Sequence, residues 1–224
     1  MIGKLYIVAT PIGNLEDISE RAKTTLASVD IVLCEDTRVT SKLLKAFDIQ
    51  VKTMSYHQHS GGMKVKKIAE LIEAGSDLAL VTDAGTPGIS DPGGKLVEQL
   101  IGRFPELEIV PIPGASAAIT ALSVSGFPSD EFVFLGFPPH KKGRQTFFNR
   151  IVDMKSTIVF YESTHRIMKT MSEIEQRMPD RLLMVGRELT KLHETIYRGT
   201  ASEVTKSLES TSIKGEFVIV IRSL

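Results

Sequence analysis

Continuous apolar runs alternate with segments of helical periodicity along the first half of the chain. The runs 5–8 and 78–81 are apolar at every position, which is typical of strands in a parallel sheet covered on both faces. The predicted strands cover 5–9, 31–35, 52–56, 78–82 and 107–111, and the predicted helices cover 19–28, 38–47, 64–74 and 93–103. Strands that alternate with helices in this way predict a doubly wound parallel sheet.

After the segment 111–114 the pattern changes, because the predicted strands lie closer together along the chain. Here the predicted strands cover 132–135, 156–161, 181–186, 195–199 and 216–222, and the predicted helices cover 115–125, 145–153, 164–177 and 201–209. This spacing favours a mixed sheet. The sequence therefore predicts an α/β protein of two αβα domains, 1–113 and 114–224. The first is expected to hold a five-stranded, mostly parallel sheet. The cleft between two closely joined domains is a favoured place for a small-molecule site.

Two segments rich in glycine and proline follow the apolar runs of the first half. The first, 9–14, is by itself compatible with an ordinary connection. The second, 83–93, contains three glycines, two prolines and two aspartates, which favours a ligand-binding loop at the carboxyl edge of the sheet. It is not a Walker loop, because Ile89 stands five residues before Gly94 and Leu96 follows Lys95. A Gly-x-Gly-x-x-Gly fingerprint is also absent from the sequence.

Charge and composition narrow the classes of function. The 27 basic residues balance the 27 acidic ones, so any contact with nucleic acid has to come from a local patch. The apolar runs are too short to span a membrane, and residues 1–4 lead directly into the first strand without room for a signal peptide. We therefore expect a cytoplasmic protein. The single cysteine, Cys34, excludes a disulfide within the chain and a cysteine zinc site, and we expect it in the core.

Charged and polar side chains gather where four predicted strands end. These segments are Glu35-Asp36-Thr37-Arg38, Tyr56-His57-Gln58-His59, Tyr161 to Arg166 and Gly186 to Lys191. Each is compatible with polar groups that line a cleft, but a capped helix start with a surface ion pair is an equal interpretation of the first segment. The pair His57 and His59 lacks the further ligands of a metal site, so we predict no metal. The loop Pro138 to Arg144 is the one local basic patch, which either meets a phosphate backbone or is simply solvated.

Taken in order, these motifs resemble the ribosomal RNA small subunit methyltransferase I family of the tetrapyrrole methylase-like superfamily. The resemblance runs through residues 8–15, Glu35 to Arg38, Asp83 to Gly93, 113–116 and Glu162 to Arg166. It implies two αβα domains with S-adenosylmethionine in the cleft between them, a homodimer, and methylation of a cytidine ribose 2′-hydroxyl in the decoding region of 16S rRNA within the 30S subunit. The cofactor-binding positions that it implies are Pro11, Ala84, Gly85, Thr86, Ile89, Ser116, Ala117, Glu162 and Leu189.

Methylation of a ribose hydroxyl raises the question of which group removes the proton. The candidate bases are Asp36, His57, Glu162 and Glu188, and the alternative is catalysis by positioning alone. The candidate contacts to RNA are Arg38, Lys141, Lys142, Arg144, His165, Arg166, Arg187 and Lys191. Two other functions stay open at this point, a small-molecule methyltransferase acting on a tetrapyrrole-like ring and a non-catalytic ribosome-assembly module.

Overall fold

A computed structural model describes residues 2–57 and 61–224, and the chain divides into two compact units, Met1–Ser116 and Ala117–Leu224. The first unit consists of β1 (Leu5–Val8), α1 (Glu20–Ser28), β2 (Ile31–Cys34), α2 (Thr37–Ala46), β3 (Lys52–Ser55), α3 (Gly62–Glu73), β4 (Leu78–Leu80), α4 (Gly94–Arg103) and β5 (Ile109–Ile112). A short 3-10 helix, Leu15–Asp17, follows β1.

The five strands of the first unit form a wholly parallel sheet in the order β3-β2-β4-β1-β5. Continuous apolar strands bury side chains on both faces. Side chains of α3 and α4 pack with Leu5 and Leu80 on one face, and side chains of α1 and α2 pack with Val8 and Val32 on the other. The predicted doubly wound sheet is thereby confirmed. All five carboxyl ends lie along one edge, which we call the carboxyl edge.

Two local features of the first unit refine the sequence interpretation. The N-cap of α2 is Asp36, whose Oδ1 accepts a hydrogen bond from Arg38 N at 2.8 Å, so Thr37 is the first helical residue. Cys34 is buried in the core beside Val32, and this burial raises the pKa of its thiol. Cys34 therefore behaves as a core residue.

The second unit consists of α5 (Ala117–Ser125), β6 (Phe132–Phe134), α6 (Arg144–Val152), β7 (Thr157–Ser163), α7 (Ile167–Arg177), β8 (Leu183–Arg187), β9 (Thr195–Gly199), α8 (Ala201–Ser210) and β10 (Glu216–Ile221). Its sheet has the order β6-β7-β10-β8-β9. The β6–β7 pair is parallel and the other three pairs are antiparallel, which confirms the predicted mixed sheet. Helices α6, α7 and α8 contribute to the main core on one face, and α5 contacts β7, β8 and β10.

Helix α7 begins at Ile167, three residues later than the sequence predicts. Thr164, the first residue of the predicted helix, instead uses its hydroxyl to bind residue 215. Thr164 Oγ1 donates to Gly215 O at 2.5 Å and accepts from Gly215 N at 2.8 Å. The contact ties the end of β7 to the segment before β10. Among the helices in residues 2–57 and 61–224, none is long and apolar enough to cross a membrane.

Candidate functional site

Three loops meet at the carboxyl edge of the first unit, and we call them the three-loop site: residues 9–14, 83–86 and 113–116. An isolated antiparallel bridge joins the first two, with Thr10 N donating to Gly85 O at 2.9 Å and Gly85 N donating to Thr10 O at 3.1 Å. Thr86 Oγ1 donates to Ala115 O at 3.2 Å, which joins the second and third loops. The loops therefore form one connected surface.

Small residues allow this close packing. A methyl group on Gly114 would lie 2.9 Å from Ala9 Cβ, a distance that real Cβ atoms almost never show. Gly114 and Ala84 are nevertheless exposed on their outer side. A surface of backbone and small side chains admits a flat ligand group and offers it peptide N–H and C=O groups.

The predicted cofactor positions of the first unit lie in or directly beside the three-loop site. Pro11 and Gly85 are buried, Thr86 and Ser116 are half-buried, and Ile89 is exposed in the loop that follows. Ala117 is the first residue of the second unit. The remaining two predicted positions, Glu162 and Leu189, also lie in the second unit.

Asp36 lies at the end of β2, next to the second loop of the site. Its backbone N–H donates to Asp83 Oδ1 at 3.2 Å. The Arg38 guanidinium donates two hydrogen bonds to the Asp36 carboxylate, from Nε at 3.0 Å and from Nη2 at 2.6 Å. These hydrogen bonds from Arg38 hold the pKa of Asp36 well below its usual range. Asp36 thus caps α2 and forms the predicted ion pair, and its contact with Asp83 places it beside the second loop. Its role in a ligand cleft stays a prediction.

His57 extends the same edge by one strand. Tyr56 N donates to Cys34 O at 2.7 Å, which continues the β2–β3 pairing up to the exposed His57. His59, the other predicted member of the histidine pair, lies outside the described residues. No group of three or more His, Cys, Asp or Glu side chains that could hold a metal occurs in residues 2–57 and 61–224.

In the second unit, the end of β7 holds a buried ionic group, the Glu162 cluster: Arg144, Glu162, Arg166 and Thr170. Glu162 Oε1 lies 2.8 Å from Arg166 Nε, and its Oε2 lies 3.5 Å from Arg144 Nη1. Thr170 Oγ1 donates to Glu162 Oε2 at 2.6 Å and accepts from Arg144 Nη2 at 2.6 Å. The Glu162 side chain is fully buried, so its oxygens are committed to protein donors.

The Glu162 cluster also reaches the basic loop. Arg166 Nη1 donates to Pro138 O at 2.9 Å, and Arg144 Nη1 donates to Pro139 O at 3.4 Å. Arg144 is only 3 % exposed, which argues against its predicted role as an RNA contact, because its guanidinium already serves as an internal anchor. Lys141 and Lys142, which lie between these anchored ends, are exposed.

A second charged group lies at the end of β8. Lys191 Nζ lies 3.1 Å from Glu188 Oε1 and 2.7 Å from Glu216 Oε2. Burial opposes ionisation of Glu188, but the Glu216 N–H and the Lys191 ammonium outweigh it and hold the pKa of Glu188 below its usual range. Leu189 is buried against Gly186.

Arg187 belongs to the same strand end but points to backbone acceptors. It donates through Nε to Lys214 O at 2.6 Å and through Nη1 to His193 O at 3.2 Å, and it is 9 % exposed. This burial argues against the predicted contact with RNA. Of the predicted RNA contacts, the exposed side chains are Arg38, Lys141, Lys142 and His165.

Two residues that complete these groups were not predicted as site residues. Thr170 follows Arg166 by four residues on α7, and that helical spacing is the signal that could have drawn attention to it. Asp83 lies in a loop that the sequence singles out, but no signal pairs it with Asp36, because their contact depends on the pairing of strands far apart in sequence.

Comparison with known proteins places the chain among methyltransferases. The sequence model of the family Tetrapyrrole (Corrin/Porphyrin) Methylases matches residues 4–205. The ribosomal RNA small subunit methyltransferase I of Halalkalibacterium halodurans is 44 % identical over 220 residues, which cover 98 % of this chain and 75 % of the relative. The protein of the same name from Thermotoga maritima is 42 % identical over 220 residues, which cover 98 % of each chain.

Solved structures share the fold at much lower identity. The uroporphyrin-III C-methyltransferase of Thermus thermophilus, complexed with S-adenosyl homocysteine, superposes with a TM-score of 0.67 at 16 % identity. The match covers 98 % of this chain and 97 % of that one.

Proposed function

Because the chain belongs to the ribosomal RNA small subunit methyltransferase I family of the tetrapyrrole methylases, we propose that it methylates RNA of the small ribosomal subunit with S-adenosylmethionine as methyl donor. The observation that carries this proposal is 44 % identity to a protein of that name over 98 % of the chain. We further propose that the acceptor is a cytidine ribose 2′-hydroxyl in the decoding region of 16S rRNA, that the enzyme is a cytoplasmic homodimer, and that its substrate is the 30S subunit.

The three-loop site fits the proposed cofactor. Its small side chains and joined backbone suit a flat adenine ring and a polar amino-acid portion. In this proposal Pro11, Ala84, Gly85, Thr86 and Ser116 hold the group, with Ile89 beside them. S-adenosylmethionine supplies a methyl group on a sulfonium, which is already electrophilic. The protein then has to bind and align the acceptor hydroxyl.

The environments of the candidate bases favour catalysis by positioning. Asp36 and Glu188 have lowered pKa values, so each binds a proton weakly near neutral pH. Glu162 is enclosed by its donors. These three carboxylates are therefore better placed to bind neighbouring cations and backbone N–H groups than to remove a proton from the substrate. His57 stays a candidate base, and His57→Ala in the assay below tests it.

The test is transfer of label from tritiated S-adenosylmethionine to 30S subunits purified from cells that lack the endogenous enzyme. We expect label on a single ribose, which nuclease digestion and mass spectrometry locate. Label on a base instead of a ribose would reject the 2′-hydroxyl as the acceptor but would still support the assignment as an RNA methyltransferase.

The name of the matching family also favours a second candidate, methylation of a tetrapyrrole-like ring. Label on a porphyrinoid and none on 30S subunits would select that candidate. Absence of S-adenosylhomocysteine binding in calorimetry would point to a non-catalytic assembly module.

A further inference from the structure

Phe137 is a large aromatic side chain that the fold leaves half in solvent. It is 51 % exposed and directly precedes the basic loop 138–144. Its ring packs on the ring of Tyr161 in a T-shaped arrangement, with a centroid distance of 5.4 Å and an interplanar angle of 61°. Tyr161 in turn contacts Phe134 at 5.0 Å. Phe137 is therefore the outer member of a row of three aromatic rings.

The backbone on both sides of Phe137 is fixed. Before it, Tyr161 N donates to Gly136 O at 2.8 Å, which continues the β6–β7 pairing. Gly136 has a φ of +62°, a conformation that side chains disfavour. After it, Arg166 of the Glu162 cluster holds the Pro138 carbonyl. An exposed ring on anchored backbone loses little conformational freedom when it is covered.

The exposed charge that follows Phe137 along the chain is positive. Residues 132–152 contain no carboxylate, and the exposed side chains just beyond the ring are those of His140, Lys141 and Lys142. An aromatic face beside lysines is the combination that binds single-stranded nucleic acid, with the ring stacking on a base and the cations meeting phosphates. A purely apolar partner would leave these cations without a counter-charge, whereas the phosphates of RNA supply one.

From these observations we infer that Phe137 is a stacking platform for one unpaired RNA base, with Lys141 and Lys142 binding the adjoining phosphates. The inference rests on the proposed function for the identity of the polymer. It adds a substrate-binding residue outside the set that the motifs predicted.

The test compares Phe137→Ala, Phe137→Leu and Phe137→Trp by fluorescence anisotropy with a short labelled RNA of unpaired pyrimidines and with an RNA duplex. We expect the Ala and Leu variants to bind the single strand about 5- to 150-fold more weakly, the measured range for loss of one stacked base. The Trp variant keeps affinity, and duplex binding changes little. Leucine retains apolar area without an aromatic face, so it separates stacking from general hydrophobic contact.

The matched control is Phe132→Ala, which removes another partly exposed phenylalanine, on β6. Thermal unfolding and S-adenosylhomocysteine affinity are measured for every variant, and the Leu and Trp variants carry the test if the Ala variant misfolds. Wild-type affinity in the Leu variant, or an equal loss in the Phe132 control, overturns the inference. So does a change of sedimentation in the Phe137 variants with RNA binding intact, which would assign the ring to a protein contact.

The same variants are assayed for methylation of 30S subunits, which separates the two proposals. One outcome is that single-strand binding depends on Phe137 but the wild type does not methylate 30S subunits. This result supports the platform and rejects the proposed substrate. Methylation by the wild type and by Phe137→Leu at equal rates rejects the platform and supports the proposed function. Failure of the wild type to bind either RNA rejects the platform, and methylation of 30S subunits alone then decides the proposed function.

Discussion

Asp36 is a carboxylate whose protonation the neighbouring guanidinium opposes. If its task is to hold Arg38 and cap α2, Asp36→Asn should preserve much of that task, because asparagine is an equally good N-cap. We expect kcat/KM for 30S methylation to fall by no more than about fivefold, because an exposed ion pair contributes at most about 1 kcal/mol. The pH profile should not shift. Removal of a general base costs about 100- to 10,000-fold. A loss of that size, with a changed pH profile, would make Asp36 the base.

Glu188 provides a test by pH. Its pKa is lower in the folded protein than the ordinary value of 4.5, so its stabilising contribution is complete above that value and is lost as the pH falls through the folded pKa. Glu188→Gln should therefore be less stable than the wild type near neutral pH, and the difference should shrink progressively as the pH falls below 4.5.

Urea unfolding followed by circular dichroism measures this difference, since the chain has no tryptophan to report by fluorescence. Glu175→Gln, an exposed carboxylate change on α7, is the control. A Glu188 variant with a constant deficit at every pH would show that shape, not charge, stabilises the turn.

The three-loop site depends on contact between the segments after β1 and β5. Gly114→Ala places a methyl group 2.9 Å from Ala9 Cβ and so forces the loops apart. We expect it to cost about 1–3 kcal/mol of folding free energy and to weaken S-adenosylhomocysteine binding in calorimetry.

The matched control is Gly102→Ala on α4, where a methyl group meets no atom within 4 Å. That change should leave the affinity unaltered and stabilise the helix by up to about 1 kcal/mol. Unchanged cofactor affinity in Gly114→Ala would remove the third loop from the proposed site.

The Glu162 cluster joins the end of β7, α7 and the basic loop through buried charge. Glu162→Met leaves Arg144 and Arg166 without their anion, and we expect it to cost about 3–5 kcal/mol in urea unfolding. The double variant Glu162→Met/Arg144→Met should lose less, because one uncompensated charge is removed as well. Additive losses in the double variant would mean that the two side chains contribute independently.

Sequence reasoning predicted the strands and helices well because continuous and periodic apolar patterns directly reflect burial. It could not separate Arg144 from Lys141 and Lys142, since all three stand in one basic run of sequence. The difference arises from position: Arg144 is the first residue of α6, where it faces Thr170 and Glu162 from another helix and strand. Such partners become neighbours only after the chain has folded.

The N-cap of α2 also shows that sequence reasoning cannot choose between neighbouring candidates, here between two adjacent residues. Asp36 and Thr37 are both good capping residues, and the predicted helix 38–47 would place the cap at Thr37. The β2 strand stops at Cys34, and Asp36 then takes the extended conformation that an N-cap requires.

The balance of 27 basic and 27 acidic residues leaves RNA binding to a few local cations. If Lys141 and Lys142 each meet a phosphate, Lys141→Ala/Lys142→Ala should make the plot of log association constant against log salt concentration shallower by about 1.4 for single-stranded RNA. Lys66→Ala/Lys67→Ala removes the same charge from exposed positions of α3 and should leave the slope unchanged. Equal slopes in the wild type and the Lys141/Lys142 variant would remove the basic loop from the RNA-binding surface.

The order of strands in the parallel sheet also affects how the protein is made. β1 is the first strand to be synthesised, yet its partners begin at residues 78 and 109. At cellular rates of translation, its apolar segment waits roughly 5–20 s for β5 to be made. β8 and β9, by contrast, are antiparallel neighbours in sequence and can pair at once. We therefore expect the first unit to be the part of the nascent chain that most needs a chaperone.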